Sequence, residues 1–289
     1  IGDGAETPAL EIRDWPTIPK RLVMIATDQG GFQVIDMDYW KRIIRELAGV
    51  KVNALMPYFD AGTFAYRKHP YLGTKGDGGF TVEKARILSA YAAEHFVELV
   101  PQQNSLGHLG GALGHQELAH LRDGGGTINM VKPETLSFLG DLYDDLVEGF
   151  PNATAIHVGG DEFGGDFGKD PAVAARIAEI GAPAVYAEFL MKLRDLLRQR
   201  NRAMMIWWNE QGYTLEAAAQ LAKDIAVFDW HYGPQEDYPS LDRLIDAGFS
   251  QPWATPAVTR YYDGTNDWGN TFANIGGFAR AGARRRVPG

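Results

Sequence analysis

The stretch Ile156-His157-Val158-Gly159-Gly160-Asp161-Glu162-Phe163 lies near the middle of the chain and decides how the rest of the sequence is interpreted. The apolar run 155–158 predicts a buried strand. The two glycines that follow allow the backbone to bend. The side chains of the two adjacent carboxylates can therefore both point into one pocket at the end of the strand. Two carboxylates in one pocket are the minimum equipment for cleaving a glycosidic bond. The stretch therefore predicts an acidic pair at the end of a buried strand.

Two other interpretations of these residues fit the local pattern. Residues 159–163 resemble the Gly-Gly-Asp-Glu-Phe signature of diguanylate cyclases, which places the pentapeptide on a turn between two strands of a small domain. No acidic metal-binding segment of the cyclase type precedes the pentapeptide, and the following residues include Gly164, Gly165, Gly168 and Pro171. In the plainest interpretation, Asp161 and Glu162 only cap the next helix.

The composition is that of an ordinary globular protein. The chain has 289 residues, a length that is enough for one large or two ordinary domains. Hydrophobic residues make up 45% of the chain and charged residues 22%, as is usual for a globular protein. A net charge of −9 argues against a nucleic-acid partner and against an anionic membrane surface. No apolar run reaches the ~20 residues of a membrane helix. We therefore expect a soluble protein with no nucleic-acid or membrane partner. The sequence is compatible with a secreted or periplasmic location in a bacterium.

The chain carries no cysteine, so a disulfide framework and a thiolate zinc site are excluded. His115 and His120 are five residues apart, not the four that aligns two metal ligands on a helix. The glycines at 124–126 predict a flexible loop, which lacks the pattern of a phosphate loop. Arg284-Arg285-Arg286 is too short a basic run to indicate nucleic-acid binding. We expect neither a metal nor a cofactor. Because the chain begins at Ile1 without a signal peptide, we also expect it to be processed or cut from a longer chain.

Apolar segments alternate with helical segments from residue 21 onwards. The predicted strands are 22–26, 52–57, 96–100, 155–158, 203–207, 225–228 and 251–254. The predicted helices are 39–47, 82–94, 135–147, 171–180, 184–199, 215–221, 241–247 and 271–281. This alternation, without a break in composition, predicts one parallel α/β domain over residues 21–289. Residues 1–20 are rich in turn residues and are interpreted as an N-terminal linker.

The predicted strands are each followed by polar or aromatic residues, among them Asp28, Asp60, Asn104, Asp161, Trp208 and Trp230. In a (β/α)8 TIM barrel the active site lies at that end of the strands. A doubly wound sheet needs a glycine-rich phosphate loop after its first strand, and Gly30-Gly31 lacks the spacing. The fold class predicted is therefore an α/β TIM barrel.

An eighth strand is not apparent, although it should begin at residues 283–289. An open barrel exposes strand edges. We therefore expect self-association or a further C-terminal segment to complete it.

The motifs taken together resemble glycoside hydrolase family 20, the β-N-acetylhexosaminidases. The matching segments, in the family's order from about Arg21 to Gly289, are 51–55, 99–108, 157–162, Trp208-Asn209-Glu210 and Asp229-Trp230-His231-Tyr232. The Gln-Asn-Ser-Leu-Gly-His variant at 103–108 and the segment 63–66 are typical of a divergent bacterial-type branch.

The resemblance implies a retaining mechanism in which the substrate's own 2-acetamido oxygen attacks the anomeric carbon. Asp161 would orient the acetamido group and stabilise the oxazolinium intermediate. Glu162 would protonate the leaving oxygen and then deprotonate water, a role that burial beside a carboxylate suits by raising its pKa. His108 and Asp60 would form a relay behind Glu162, although a lone histidine is often structural.

The resemblance also implies sugar-binding residues: Arg21, Asn104, His157, Trp208, Glu210, Trp230, Tyr232 and Tyr261. Arg21 would bind the outer hydroxyls, with Arg67 as a competitor. Trp208 and Trp230 would wall the acetamido pocket, unless they pack in the core. Tyr232 and Tyr261 are alternatives for the hydrogen bond to the acetamido oxygen, and His157 is as suited to structural support as to ligand contact.

Three functions follow from the sequence. The first is an exo-β-N-acetylhexosaminidase that releases terminal GlcNAc or GalNAc from an N-acetylhexosamine-containing glycan or glycoconjugate. The second is a non-catalytic carbohydrate-binding relative, which would bind an acetamido sugar without hydrolysing it. The third is a diguanylate cyclase, which needs Mg²⁺ and would lose its function on chelation.

Overall fold

The structure is a computed structural model that describes residues 11, 13–26, 36–59, 63–73, 79–163, 165, 167–208, 214–258 and 266–289. Its strands are β1 (Leu22–Ala26), β2 (Ala54–Phe59), β3 (Glu98–Leu99), β4 (Gln102–Gln103), β5 (Arg122–Gly124), β6 (Thr127–Ile128), β7 (Ala155–His157), β8 (Ala203–Trp208), β9 (Ala226–His231) and β10 (Gln251–Pro256). Its α-helices are α1 (Met37–Gly49), α2 (Val82–Glu94), α3 (Gly110–Leu113), α4 (Pro133–Gly149), α5 (Pro171–Ile180), α6 (Ala182–Arg198), α7 (Thr214–Ala217), α8 (Pro239–Asp246) and α9 (Trp268–Arg285), with 3-10 turns at Ala119–Leu121 and Ala218–Gln220.

The main sheet is parallel, with the strand order β1-β2-β4-β7-β8-β9-β10. The short strand β3 also pairs with β2, so β3 and β4 occupy one position in the sheet. Seven strand positions within the described residues thus curl into an open barrel, with helices outside it. This confirms the predicted TIM-barrel class, including the seven predicted strand positions.

Alternate residues of each strand face opposite sides of the sheet and form two different cores. The larger core joins strand residues such as Leu55 and Ile206 to residues of the helices, so it lies between the sheet and the outer helical layer. The smaller core contains Met56, Met205 and Phe228 and no helix residue, which identifies it as the barrel interior. The position of a residue in this alternation therefore decides whether its side chain faces the barrel interior or the helices.

Two local predictions differ from the structure. Phe96 was expected to begin the third strand, but it is 89% exposed and lies in the turn after α2 with a left-handed φ of 59°. The glycines at 124–126 were expected to form a flexible loop, but Gly124 ends β5, which forms an antiparallel hairpin with β6. None of the helices in the described ranges is long and apolar enough to span a bilayer.

Residues 287–289 lie between the two outer strand positions of the sheet. The backbone N–H of Ala254 on β10 donates to the carbonyl of Gly289 (2.9 Å), and the N–H of Lys20 donates to the carbonyl of Pro288 (2.9 Å). Val287 is buried against residues of α8 and α9. These residues occupy the place where the eighth strand of a closed barrel begins. Completion of the barrel by self-association or by a further segment stays a prediction.

Candidate active site

The acidic pair lies on a short turn that leaves β7 at the carboxyl end of the sheet. The sheet ladder continues one step beyond β7, because Trp207 N–H donates to the carbonyl of Gly159 (2.9 Å). The chain then bends, with φ of 110° at Gly160 and 48° at Glu162. A left-handed φ is uncommon for a residue with a side chain and is concentrated at functional sites. We call residues 159–163 the catalytic turn from here on, after the role that the sequence predicts for Asp161 and Glu162.

The geometry of the catalytic turn contradicts the two rival interpretations of its sequence. The next helix, α5, begins at Pro171 and is capped by Asp170, whose Oδ1 accepts from the N–H of Ala172 (2.8 Å). The acidic pair is therefore not a helix cap. β7 pairs in parallel with β4 and β8, and two helices separate β7 from β8 along the chain. The turn between two adjacent strands that a diguanylate cyclase needs is absent from these described residues.

Two glycines allow the catalytic turn to lie close to its neighbours. A Cβ on Gly159, where φ is 76°, would stand 2.4 Å from Oδ1 of Asn104. A Cβ on Gly107 would stand 2.9 Å from the carbonyl oxygen of Asp161. Real Cβ atoms do not approach so closely, so both positions require glycine. The segment that carries Gly107 and His108 is thereby held directly against the acidic pair.

His108 and the acidic pair form one cluster. Nε2 of His108 lies 3.2 Å from Oε2 of Glu162, and one ligand atom from each of His108, Asp161 and Glu162 lies within 4.8 Å of the others. His108 itself has a left-handed φ of 56°. The three residues were predicted together, and the structure brings them together. Ligand atoms at this spacing could also hold a metal ion.

The exposure of the Glu162 side chain differs from the expectation. About half of the side chain (48%) is accessible, so it is not a buried acid. The His108 side chain is less exposed, at 29%. An accessible carboxylate beside a histidine can exchange a proton with a ligand that enters from solvent.

Three of the predicted site residues, Asp60, Glu210 and Tyr261, lie outside the described residues. The relay through Asp60 and the sugar contacts of Glu210 and Tyr261 therefore stay predictions.

Asn104 lies beside the catalytic turn, but its amide is already engaged. Its Nδ2 donates to the hydroxyl of Tyr58 (2.7 Å), and its Oδ1 accepts from Nε2 of Gln102 (3.1 Å). Asn104 and Gln102 are both fully buried. This placement favours support of Gly159 over contact with a sugar.

His157 is buried in the barrel interior beneath the catalytic turn. Its Nδ1 accepts a hydrogen bond from the N–H of Gly159 (3.1 Å), and its ring packs against Trp207 at 4.3 Å between centroids. Because an accepting nitrogen carries no proton, the neutral ring is protonated at Nε2, for which the described residues provide no hydrogen-bond partner. Burial holds the pKa of His157 well below its usual value. Of its two predicted roles, structural support fits this position better.

The two tryptophans of β8 face opposite sides of the sheet. Trp208 is buried in the outer core, where it packs against Phe249 at 6.1 Å between centroids. Of the two roles predicted for Trp208, packing in the core fits this position better than contact with a sugar, because its ring faces the helices. Trp207 instead belongs to the barrel interior and was not predicted as a site residue. Trp207 lies two residues after Met205 on β8, so both side chains face the same side of the sheet. This spacing is the sequence signal that could have identified Trp207 as an interior residue.

Trp230 and Tyr232 lie at the carboxyl end of β9 and its extension, as expected. Their rings are 4.7 Å apart between centroids, and Trp230 packs against the interior core. Tyr232 is 49% exposed. An accessible tyrosine beside a half-buried indole offers an apolar face and a polar tip to a ligand.

Neither arginine suggested for the outer hydroxyls of a sugar is free in the structure. Arg21 precedes β1, so it lies at the amino end of the sheet, opposite the catalytic turn. Its guanidinium donates to the carbonyls of Lys51 (2.6 Å), Ile18 (2.9 Å) and Pro19 (2.8 Å). This placement does not favour the sugar contact that was predicted for Arg21. The guanidinium of Arg67 pairs with Asp145 (2.6 Å) and Glu148 (2.5 Å) on α4.

Comparisons with known proteins find a matching family model and several relatives of this chain. The family model described as glycosyl hydrolase family 20, catalytic domain, matches residues 35–249. A curated β-hexosaminidase of Porphyromonas gingivalis is 26% identical over 251 residues, which are 77% of this chain and 31% of that protein. The chain thus spans about a third of the length of that relative.

Solved structures share the fold. An exo-β-N-acetylglucosaminidase from Vibrio harveyi, solved in complex with N-acetylglucosamine, aligns with a TM-score of 0.70 and 21% identity over 96% of this chain and 50% of that chain. A Flavobacterium johnsoniae chitobiase aligns with a TM-score of 0.67 and 24% identity over 83% of this chain and 38% of that chain. At these identities the likeness establishes the barrel architecture.

Proposed function

The chain belongs to glycosyl hydrolase family 20, and we propose that it is a retaining exo-β-N-acetylhexosaminidase that releases terminal GlcNAc or GalNAc. The observation that carries the proposal is the cluster of His108, Asp161 and Glu162 at the carboxyl end of β7, with Nε2 of His108 3.2 Å from Glu162. The relatives described as a β-hexosaminidase and an exo-β-N-acetylglucosaminidase support the substrate class. A glycan or glycoconjugate substrate also suits the secreted or periplasmic location that the sequence allows.

The first half of the reaction forms an oxazolinium ion. The oxygen of the substrate's 2-acetamido group attacks the anomeric carbon while the bond from that carbon to the leaving oxygen breaks. Glu162 gives its proton to the leaving oxygen as the general acid. Asp161 orients the acetamido N–H and balances the positive charge that develops on the ring. Holding the acetamido group against the anomeric carbon replaces a bimolecular attack by an intramolecular one.

The second half regenerates the enzyme with retained configuration. Glu162, now a carboxylate, takes a proton from water as that water attacks the anomeric carbon and opens the oxazolinium ring. His108, whose Nε2 lies 3.2 Å from Oε2 of Glu162, would fix the position and the proton of this carboxylate. Trp230 and Tyr232 flank the same end of the barrel and offer the aromatic faces on which a sugar ring packs.

The test is hydrolysis of an aryl β-N-acetylglucosaminide, with the released sugar's anomer followed by NMR and the binding of an N-acetylglucosamine-thiazoline measured by calorimetry. We expect β-GlcNAc as the first product and inhibition by the thiazoline, which resembles the oxazolinium ion. Thiazoline binding without turnover would favour the non-catalytic carbohydrate-binding alternative. A folded chain that neither hydrolyses the glycoside nor binds the thiazoline would contradict the proposal.

A further inference from the structure

The catalytic turn is bracketed by two hydroxyl groups from distant parts of the chain. The hydroxyl of Tyr186 on α6 donates to the carbonyl of Gly160 (3.0 Å), and the hydroxyl of Thr127 on β6 donates to the carbonyl of Phe163 (3.2 Å). These two carbonyls belong to Gly160 and Phe163, the residues immediately before and after the acidic pair. We propose that Tyr186 and Thr127 are positioning residues, whose hydroxyls hold the backbone of Asp161 and Glu162 in its catalytic geometry. The proposal rests on the proposed function.

The packing around the two hydroxyls makes them fixed donors. Tyr186 and Thr127 are 0% and 2% exposed, so neither hydroxyl can turn to bulk water. The Tyr186 ring stacks on the ring of Phe163, with centroids 5.1 Å apart and an angle of 18°. Tyr186 therefore contacts the catalytic turn on both sides of the acidic pair, through its hydroxyl at Gly160 and through its ring at Phe163.

The hairpin that carries Thr127 also holds the segment that carries His108. Leu109 N–H donates to the carbonyl of Gly126 (2.9 Å), and Ile128 N–H donates to the carbonyl of Leu106 (2.9 Å). Thr127 thus lies on a short ladder that faces His108 on one side and the catalytic turn on the other. Its hydroxyl couples the position of His108 to that of Glu162.

The backbone of the catalytic turn needs such support. The left-handed φ of 48° at Glu162 persists only where surrounding contacts leave no alternative. Losing one hydroxyl removes one of the two donors that hold the flanking carbonyls and lets the turn relax. Because proton transfer and orientation require positions fixed to a fraction of an ångström, a small relaxation lowers the rate of the chemical step more than substrate binding.

The experiment compares matched pairs of variants that each lose one buried hydroxyl. Tyr186→Phe and Thr127→Val remove the donors to the catalytic turn. Tyr238→Phe removes a buried hydroxyl that donates to Asn274 (2.8 Å), and Thr135→Val removes one that donates to the carbonyl of Asn129 (2.6 Å); neither acceptor belongs to the turn. For every variant we would measure kcat and KM, thiazoline and GlcNAc affinity, and the midpoint of thermal unfolding. Thr127→Ser, which retains the donor, serves as the rescue.

We expect Tyr186→Phe and Thr127→Val to lower kcat by about tenfold each, with KM changed less than twofold. Thiazoline affinity should fall with kcat, whereas affinity for the product GlcNAc should stay constant. The control variants should show a decrease in the midpoint of thermal unfolding similar to that of the turn variants, with kcat unchanged. Thr127→Ser should retain most of the wild-type kcat. Equal kcat in wild type and both turn variants would overturn the proposal, as would an equal loss of kcat in the controls.

A readout without substrate separates this proposal from the proposed function. Amide hydrogen exchange at Asp161 and Glu162 should become faster in Tyr186→Phe and stay unchanged in Tyr238→Phe. If the wild-type chain were inactive, the proposed function would fail, and the exchange rates would still decide whether the hydroxyls fix the turn. Unchanged exchange in Tyr186→Phe would contradict the positioning role.

Discussion

The catalytic turn and the open edge between β10 and β1 differ in how completely the chain supports them. The turn is contacted by the His108 segment, by Asn104 beside β4, by the β5–β6 hairpin and by α6. The edge is bridged by two backbone hydrogen bonds to residues 288 and 289 and by the burial of Val287. The acidic pair therefore owes its geometry to contacts that do not involve the edge.

This difference separates catalysis from stability. Changes in the catalytic turn should alter the chemical step, whereas changes at the edge should alter folding and leave the acidic pair in place. The predictions below begin with the largest expected effect.

Glu162→Gln removes the proposed general acid and base while keeping the size of the side chain. Because general acid–base catalysis contributes about 10²–10⁴-fold, kcat for an aryl β-N-acetylglucosaminide should fall by that factor. The matched control is Glu188→Gln, which removes a carboxylate that pairs with Arg176 on the helical layer. A fall of less than about tenfold in Glu162→Gln would exclude this role.

Gly159→Ala tests the close approach of the catalytic turn to Asn104. The new Cβ would clash with Oδ1 of Asn104 at 2.4 Å and would stand on a φ of 76°. We expect the free energy of unfolding to fall by about 2 kcal/mol or more, together with a loss of kcat. Denaturant unfolding gives the first quantity. In Gly49→Ala no heavy atom lies within 4 Å of the new Cβ, so stability should be unchanged or slightly higher.

Val287→Ala probes the open edge. Val287 is 3% exposed within the cluster that joins α8 and α9, so loss of two methyl groups should lower the free energy of unfolding by about 1–2 kcal/mol. At a temperature where the variant is folded, kcat should match the wild type. Val50→Ala, at a 70% exposed position, should change neither quantity. A selective loss of kcat in Val287→Ala would show that the edge and the turn are coupled.

The pH dependence of the free energy of unfolding should reveal the protonation of His157. Burial lowers its pKa in the folded state, so below the unfolded-state value of about 6.5 the unfolded chain binds a proton that the folded chain does not. Stability should therefore fall as the pH decreases from about 6.5, by at most about 1.4 kcal/mol per pH unit.

Thermal unfolding between pH 7.5 and 5 measures this slope. His157→Gln should flatten it, whereas His120→Gln, at an exposed position, should retain it. An unchanged slope in His157→Gln would assign the effect to other groups.

The sequence predicted the barrel well because parallel strands that are covered on both faces consist of continuous apolar residues, which are easily recognised in a sequence. It also placed His108, Asp161 and Glu162 together, since the carboxyl ends of such strands meet at one end of the barrel. By the same rule Arg21, which precedes β1, lies at the opposite end of the barrel.

Other features depend on tertiary contacts that the sequence does not encode locally. Adjacent residues of a strand face opposite sides, but which of Trp207 and Trp208 faces the barrel depends on the register with β7 and β9. The hairpin at 122–128 has almost no apolar residues to mark its strands. The hydroxyl of Tyr186 reaches Gly160 only because α6 packs over the catalytic turn.

The most direct test of the central claim, that the substrate's acetamido group is the nucleophile, compares kcat for the N-acetyl and N-trifluoroacetyl forms of one aryl β-glucosaminide. Fluorine withdraws electrons from the attacking oxygen. We expect kcat to fall by about tenfold or more, a rise of about 1.4 kcal/mol in the barrier. Equal kcat for the two substrates would contradict the account, because it would mean that the nucleophile belongs to the protein.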